Sequence, residues 1–284
     1  MSAVVDVLVL GFLISALYAL VAVGFTMIFG VAGVLNLSHG ALAMLGAFVA
    51  HWALDAGWAR PSAFLAAVVG LAVLAPIIYR VFVRPLQDRP VTVFLATLLL
   101  AVLLEQAVIL ISGPDSRLLP PLIAGNLSVG GMEIKANRLL ASAVALGAIA
   151  ALWAFVTRTR HGKAILALSM ERKGAALVGI PAERIVLGVW AISGALAAIA
   201  GLFIASFLGI SPLEERTLLV IAFSTVVVGG LGSIPGTLGA ALIIGYAETI
   251  VVQFAPGARG LVPLLLLVAV LVLRPQGLAG RAAE

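Results

Sequence analysis

The chain has 284 residues, 63% of them hydrophobic and only 10% charged, with 17 Lys and Arg against 12 Asp and Glu and no cysteine. Mean hydropathy is +1.24 and the pI is near 10.2. Soluble domains carry about 25% charged residues, so too few charges remain here for a water-facing shell. A soluble enzyme, a nucleic-acid-binding domain and a secreted disulfide scaffold are excluded, and so are thiolate metal sites and cysteine redox chemistry. The composition is that of an all-α polytopic membrane protein, a single transmembrane domain over residues 1–284 in contact with the lipid bilayer.

Residues 4–29 are almost continuously apolar, interrupted mildly by Ser15, Tyr18 and Thr26, with no Lys or Arg before Arg60. A secretory signal would show a basic start and a short apolar core; a run this long reads as a retained spanning helix. Further apolar stretches lie at about 31–52, 62–82, 91–111, 139–156, 184–209, 217–231, 236–254 and 261–273. About eight transmembrane helices are expected, some of them broken or re-entrant. Arg80, Arg84 and Arg89 form one cationic cluster; Arg158, Arg160, Lys163, Arg172, Lys173 and Arg184 form a second. The positive-inside rule places both in the cytoplasm, with Arg274 and Arg281. Residues 112–137, charge-balanced and rich in proline and glycine, form the outside loop. The side of the N-terminus is left open.

An internal repeat appears at a constant offset of 199 residues. GVAGVLNLSHGALAMLG (30–46) aligns with GGLGSIPGTLGAALIIG (229–245), and eight identities fall between Leu20 and Gly46 without a gap. The repeated unit is an apolar run, a break containing Gly with Asn or Pro, then a second apolar run. Paired Gly/Pro-interrupted segments point to a transport site, because broken helices expose backbone groups at their inner ends. Asn36, Ser38, His39 and Gly40 in the first break, with Gly229, Gly230, Gly232, Pro235 and Gly236 in the second, are the candidate substrate-path residues. The glycines also suit close helix packing, and the polar trio also suits interhelical hydrogen bonding. A lone His is a poor metal candidate; no metal site is expected.

Two carboxylates, Glu105 and Glu248, fall inside apolar stretches. An intramembrane acid is a functional candidate by default. With no Lys or Arg beside them in sequence they make a thin proton relay, and pairing with helix ends or polar neighbours is the better reading. No P-loop is present, so the chain does not itself hydrolyse ATP by that route. No cofactor and no catalytic residue are expected.

The main hydrophilic stretch, residues 157–183, begins basic, becomes rich in small and apolar residues, and ends at Gly179-Ile180-Pro181. It reads as a short amphipathic helix offering an apolar face to a cytoplasmic partner. ERKGAALVGI (171–180) resembles the cytoplasmic coupling loop of bacterial ABC importer permeases. More narrowly, GFTMIFGVAGVLNLSHGALAMLGAF (24–48), RPLQDRPVTVFLATLLL (84–100), TRTRHGKAILALSMERKGAALVGI (157–180), VVVGGLGSIPGTLGAALIIG (226–245) and RPQGL (274–278) together resemble the branched-chain amino-acid permease family, across nearly the whole chain.

The resemblance implies a permease subunit in the bacterial inner membrane. Its implied partners are a second, related permease (a heterodimer rather than a homodimer), two cytoplasmic ABC ATPases that bind ATP and Mg, and a periplasmic substrate-binding protein. Glu171, Arg172, Ala175, Ala176 and Gly179 then carry over to the ATPase-coupling segment. Ala41 stands where the family usually has an acidic residue after the His-Gly pair, and Lys173 where the loop commonly has a carboxylate. Branched-chain or other hydrophobic amino acids are the implied cargo. Urea, short amides or aromatic compounds through the same machinery stay open, as does an ion-coupled secondary carrier.

Overall fold

The structure, a computed structural model, describes residues 2–129, 132–258, 260–274 and 276–279. Pro275 and Arg281 lie outside the described residues. In chain order the helices are α1 (Ser2–Ala32), α2 (His39–Asp55), α3 (Arg60–Ile78), α4 (Pro90–Ser112), α5 (Ala136–Arg158), α6 (Arg160–Met170), α7 (Arg172–Leu177), α8 (Ala182–Leu208), α9 (Glu215–Gly229), α10 (Ile234–Phe254) and α11 (Leu261–Leu273).

Among the described residues, six helices are long and apolar enough to cross a bilayer: Val7–Ala32, Arg60–Leu86, Pro90–Ser112, Ala136–Arg158, Ala182–Leu208 and Ile234–Phe254. The helices α2, α9 and α11 have 17, 15 and 13 residues, short of the ~20 a full crossing needs. The nine apolar stretches of the sequence are therefore six helices of full span length and three shorter ones. A departure from an all-α chain lies in the loop of residues 112–137, where β1 (Asn126–Val129) pairs antiparallel with β2 (Met132–Lys135). A loop leaving the membrane must still satisfy its backbone groups, and pairing its two arms does so.

The helix punctuation is local chemistry. Pro61 and Pro90 stand at helix starts, where a missing N–H costs nothing. Pro76, inside α3, removes a ladder donor, and the helix widens into a π turn at Tyr79–Val83 before a 3-10 turn at Arg84–Leu86. Packing centres on α8, with α1, α2 and α3 against it. Small residues permit the approach: a Cβ on Gly46 would meet the Ala198 Cα at 2.8 Å, and one on Gly194 the Ala75 Cβ at 2.7 Å. Trp190 of α8 is fully buried, its ring 5.5 Å from that of Tyr79.

Contacts orient the chain. Arg172, in the second cationic cluster, donates from Nη2 to the Ala32 carbonyl at 3.5 Å, so α1 ends at the face that carries that cluster and starts at the opposite face. Helix α10 runs antiparallel to α1: Gly232 lies by Gly30, Thr237 by Thr26, and the Tyr246 hydroxyl donates to the Leu8 carbonyl at 3.0 Å. The segment after α11 returns to the cytoplasmic end, with Leu278 N–H donating to the Val228 carbonyl at 2.8 Å.

Candidate translocation and coupling sites

The two copies of the repeat are two broken helix pairs, α1–α2 and α9–α10. Gly33 and Gly232, equivalent at the 199-residue offset, both take positive φ, +68° and +83°. Only glycine enters that region without strain; Gly33 directly ends α1, whereas Gly230 (φ +100°) ends α9 and Gly232 turns the chain two residues later.

At the first break the chain turns back into the protein before α2 begins. Ser38 donates to Asn36 Oδ1 through its hydroxyl (2.6 Å) and its backbone N–H (3.2 Å). His39 Nε2 lies 3.0 Å from the Val21 carbonyl; a carbonyl only accepts, so Nε2 carries the proton. Val21 is eleven residues before the end of α1, so α2 starts about 16 Å above the cytoplasmic end of that helix. Near the far end of α2, Trp52 Nε1 donates to Ser112 Oγ at the end of α4 at 2.7 Å, so residues 33–55 pass from one face to the other as a broken crossing, unwound in its first part, and do not re-enter. Asn36, Ser38 and His39 are each at most 1% exposed, and Asn36 Nδ2 and His39 Nδ1 have no protein partner. A Cβ on Gly40 would meet the Glu215 carbonyl at 2.5 Å and Leu219 N at 2.7 Å, so Gly40 lets the starts of α2 and α9 touch. Sequence reading missed Thr97 of α4, whose Oγ1 accepts from Leu37 N–H at 3.2 Å and so satisfies the break from outside the repeat.

At the second break the glycines divide. Gly232 and Pro235 line a cleft of about 1460 Å³ at the cytoplasmic end, with Gly30, Trp153, Met170 and Gln276 also on its wall. Gly229 and Gly236 instead press together: a Cβ on Gly229 would meet Thr237 N at 2.5 Å. Gly230 receives the C-terminal segment. A Cβ on Gly277 would meet Gly230 N at 2.5 Å, and Ala279 N–H donates to the Gly229 carbonyl at 3.1 Å. The two motifs GGLGSIPG and RPQGL are thus one packed unit, a link with no signal in their separation along the chain. The cleft wall does not include Asn36, Ser38, His39 or Gly40.

Both intramembrane acids have partners. Glu105, fully buried, takes Nη2 of Arg216 on both carboxylate oxygens at 3.2 Å. Arg216 was invisible to sequence reading because it lies 111 residues away, at the start of α9. Glu248 accepts at Oε1 from Gly260 N–H at 3.1 Å, beside the start of α11.

Residues 157–183 hold two short helices, α6 and α7, where one was expected. Glu171, extended at φ −153°, breaks the run because its carboxylate caps α7, accepting from Lys173 N–H at 3.0 Å. Thr159 caps α6 in the same way through Gly162 N–H. The alanine pair divides: Ala175 is buried against the transmembrane body, Ala176 is exposed. At the end of α7, Gly179 at φ +79° turns the chain, its N–H donating to Ala176 O and that of Ile180 to Ala175 O, each at 3.0 Å. This geometry presents Met170, Leu177 and Val178 at 73%, 88% and 75% exposure. Three large apolar side chains standing in a basic, water-facing segment mark an interaction surface. Just beyond, Glu183 joins α8 to the end of α3 through Arg84 at 2.9 Å and Arg80 at 4.0 Å.

Six helices long and apolar enough to span, two broken helix pairs and an exposed helix pair at the basic end fit a multi-pass membrane permease. The chain belongs to the family described as branched-chain amino acid transport system / permease component, whose family model matches residues 7–271. It is 31% identical to the high-affinity branched-chain amino acid transport system permease protein LivH of Escherichia coli (strain K12), over 95% of this chain and 94% of the relative. It is 30% identical to BraD of Pseudomonas aeruginosa, described in the same words, over 96% and 95%. Among solved structures, a chain of PsaBC from Streptococcus pneumoniae in complex with Fab shares the fold at TM-score 0.55 and 13% identity, covering 95% of this chain and 92% of the other. The protein is accordingly a permease of the inner membrane.

Proposed function

We propose that this chain is one of two related permease subunits in an ATP-driven importer that carries branched-chain or other hydrophobic amino acids inward from an extracytoplasmic binding protein. Two cytoplasmic ATPases bind ATP and Mg and supply the work; this chain supplies the path. The observation that carries the reading is the apolar surface of Met170, Leu177 and Val178 on a capped helix pair at the cytoplasmic end. A path that opens by itself has no use for such a seat. Similarity to LivH and BraD over nearly the whole chain supports the cargo class.

The mechanism follows from what α6 and α7 touch. An ATPase seated on Leu177 and Val178 moves these helices as a unit when it closes on ATP. Arg172 ties α7 to the Ala32 carbonyl at the end of α1, one residue before Gly33. Glu183 ties the start of α8 to the end of α3. Displacement is therefore delivered to the broken helix pair and to the central helix, beside the cleft walled by Gly232 and Pro235.

The test is uptake of radiolabelled L-leucine by cells expressing this permease with and without its companion permease and ATPases. Uptake only with the full set supports the reading. Equal uptake by this chain alone contradicts it.

A further inference from the structure

Arg216 is a feature of the membrane-embedded region that packing does not explain. Its partner Glu105 is fully buried, yet the Arg216 side chain is 67% exposed. Glu105 lies seven residues before Ser112 at the outer end of α4, so the pair sits about 10 Å below that end. A guanidinium at such depth is costly against lipid and belongs on a water-filled path or a protein contact. Glu105 engages Nη2 alone, so Nε and Nη1 have no hydrogen bond to the protein among the described residues. A planar guanidinium held from behind with a free edge is preorganised for a second carboxylate.

An independent observation sits next to it. Glu215 is 3% exposed, and its Oε2 is buried without a hydrogen-bond partner. Its carboxylate lies within electrostatic range of Glu105 and Arg216. An orphaned buried acceptor is expensive and calls for a donor. A guanidinium edge beside a buried carboxyl offers donors to a carboxylate and an acceptor to an ammonium, which suits a group carrying both charges.

We infer that Arg216 reads the carboxylate of a zwitterionic amino acid on the outer half of the path, with the ammonium drawn to the side of Glu215 and Glu105 acting as the positioning residue. The inference rests on the amino-acid importer reading above and deepens it. It excludes urea, short amides and simple aromatic acids as good cargo, since none offers both charges.

The test uses the complete importer, both permeases and both ATPases, reconstituted in proteoliposomes with its binding protein and ATP. R216Q lowers L-leucine uptake at least tenfold while the complex still assembles. R216K, keeping charge but not the fork, falls between. In detergent the wild-type complex binds L-leucine and not 4-methylpentanoate, which lacks the ammonium, nor leucinamide, which lacks the carboxylate. Leucine uptake by R216Q within twofold of wild type overturns this inference and leaves the importer reading intact. Failure of R216Q to assemble with the second permease, with R216K assembling normally, overturns it in favour of an interface role. A wild-type complex that takes up no leucine overturns both.

Discussion

Thr26 and Thr237 share a hydrogen bond of 2.7 Å between hydroxyls, buried across the seam where α1 and α10 run antiparallel. Gly30 and Gly232 bring the two backbones together one turn further on. The seam joins the first arm of one broken pair to the second arm of the other, so it holds the two repeats in register. Hydrogen bonds between membrane helices contribute about 0.6 kcal/mol on average and up to about 1.7. T26V and T237V should each destabilise the purified protein by roughly that amount, and the double variant by less than their sum. Thermal unfolding in detergent reads this; full additivity would mean that the bond contributes nothing.

The second break makes a sharper structural prediction. G236A drives a methyl group into the Gly229 carbonyl, whereas a Cβ on Gly239, one turn along the same helix, meets nothing within 4 Å. G236A should lose most of its folded yield, with overpacking costing about 1–3 kcal/mol or more. G239A should match wild type. Size-exclusion profiles of the two variants side by side are sufficient, and equal profiles would refute the assignment of Gly236 to close packing.

The alanine pair of the coupling segment separates folding from docking. Ala175 is 4% exposed, so A175E buries a charge and should damage the fold itself. Ala176 is exposed beside Leu177. A176E and L177D should leave the permease folded while lowering co-purification of the ATPases and ATP-driven uptake by tenfold or more. Normal ATPase recovery with L177D would remove this surface from the interface.

Glu183 and Arg84 offer a charge-swap test. Both are partly exposed, at 40% and 44%, and exposed pairs contribute about 0–1 kcal/mol. Stability should barely change in R84E, while transport per ATP hydrolysed falls. R84E/E183R should recover it. If the swap restores nothing, the pair is not part of the route from the coupling helices to α3 and α8.

What was legible in the sequence follows from the range over which each force acts. Spans were readable because a bilayer demands about 20 apolar residues in a row, and composition registers that directly. The broken pairs were readable because Gly33 and Gly232 must take positive φ and therefore must be glycine. The coupling segment stood out because water-facing loops seldom carry Leu177 and Val178 together. Pairings between distant elements left no local trace. Nothing near Glu105 announces Arg216, nothing in RPQGL announces that it packs on Gly230, and Thr97 looks like any threonine in an apolar run. The break between α6 and α7 was missed because residues 157–183 were read as one short helix, whereas the Glu171 carboxylate caps a second helix that follows.

The most direct test of the account confines ATP to one side. Proteoliposomes holding both permeases and both ATPases are prepared with the binding protein outside, and ATP is supplied either inside or outside. Transporters oriented with Met170, Leu177 and Val178 facing the lumen should import L-leucine only when ATP is in the lumen, and L177D should abolish that import. Full-rate leucine uptake without ATP on either side, driven by a proton or sodium gradient, would contradict the account.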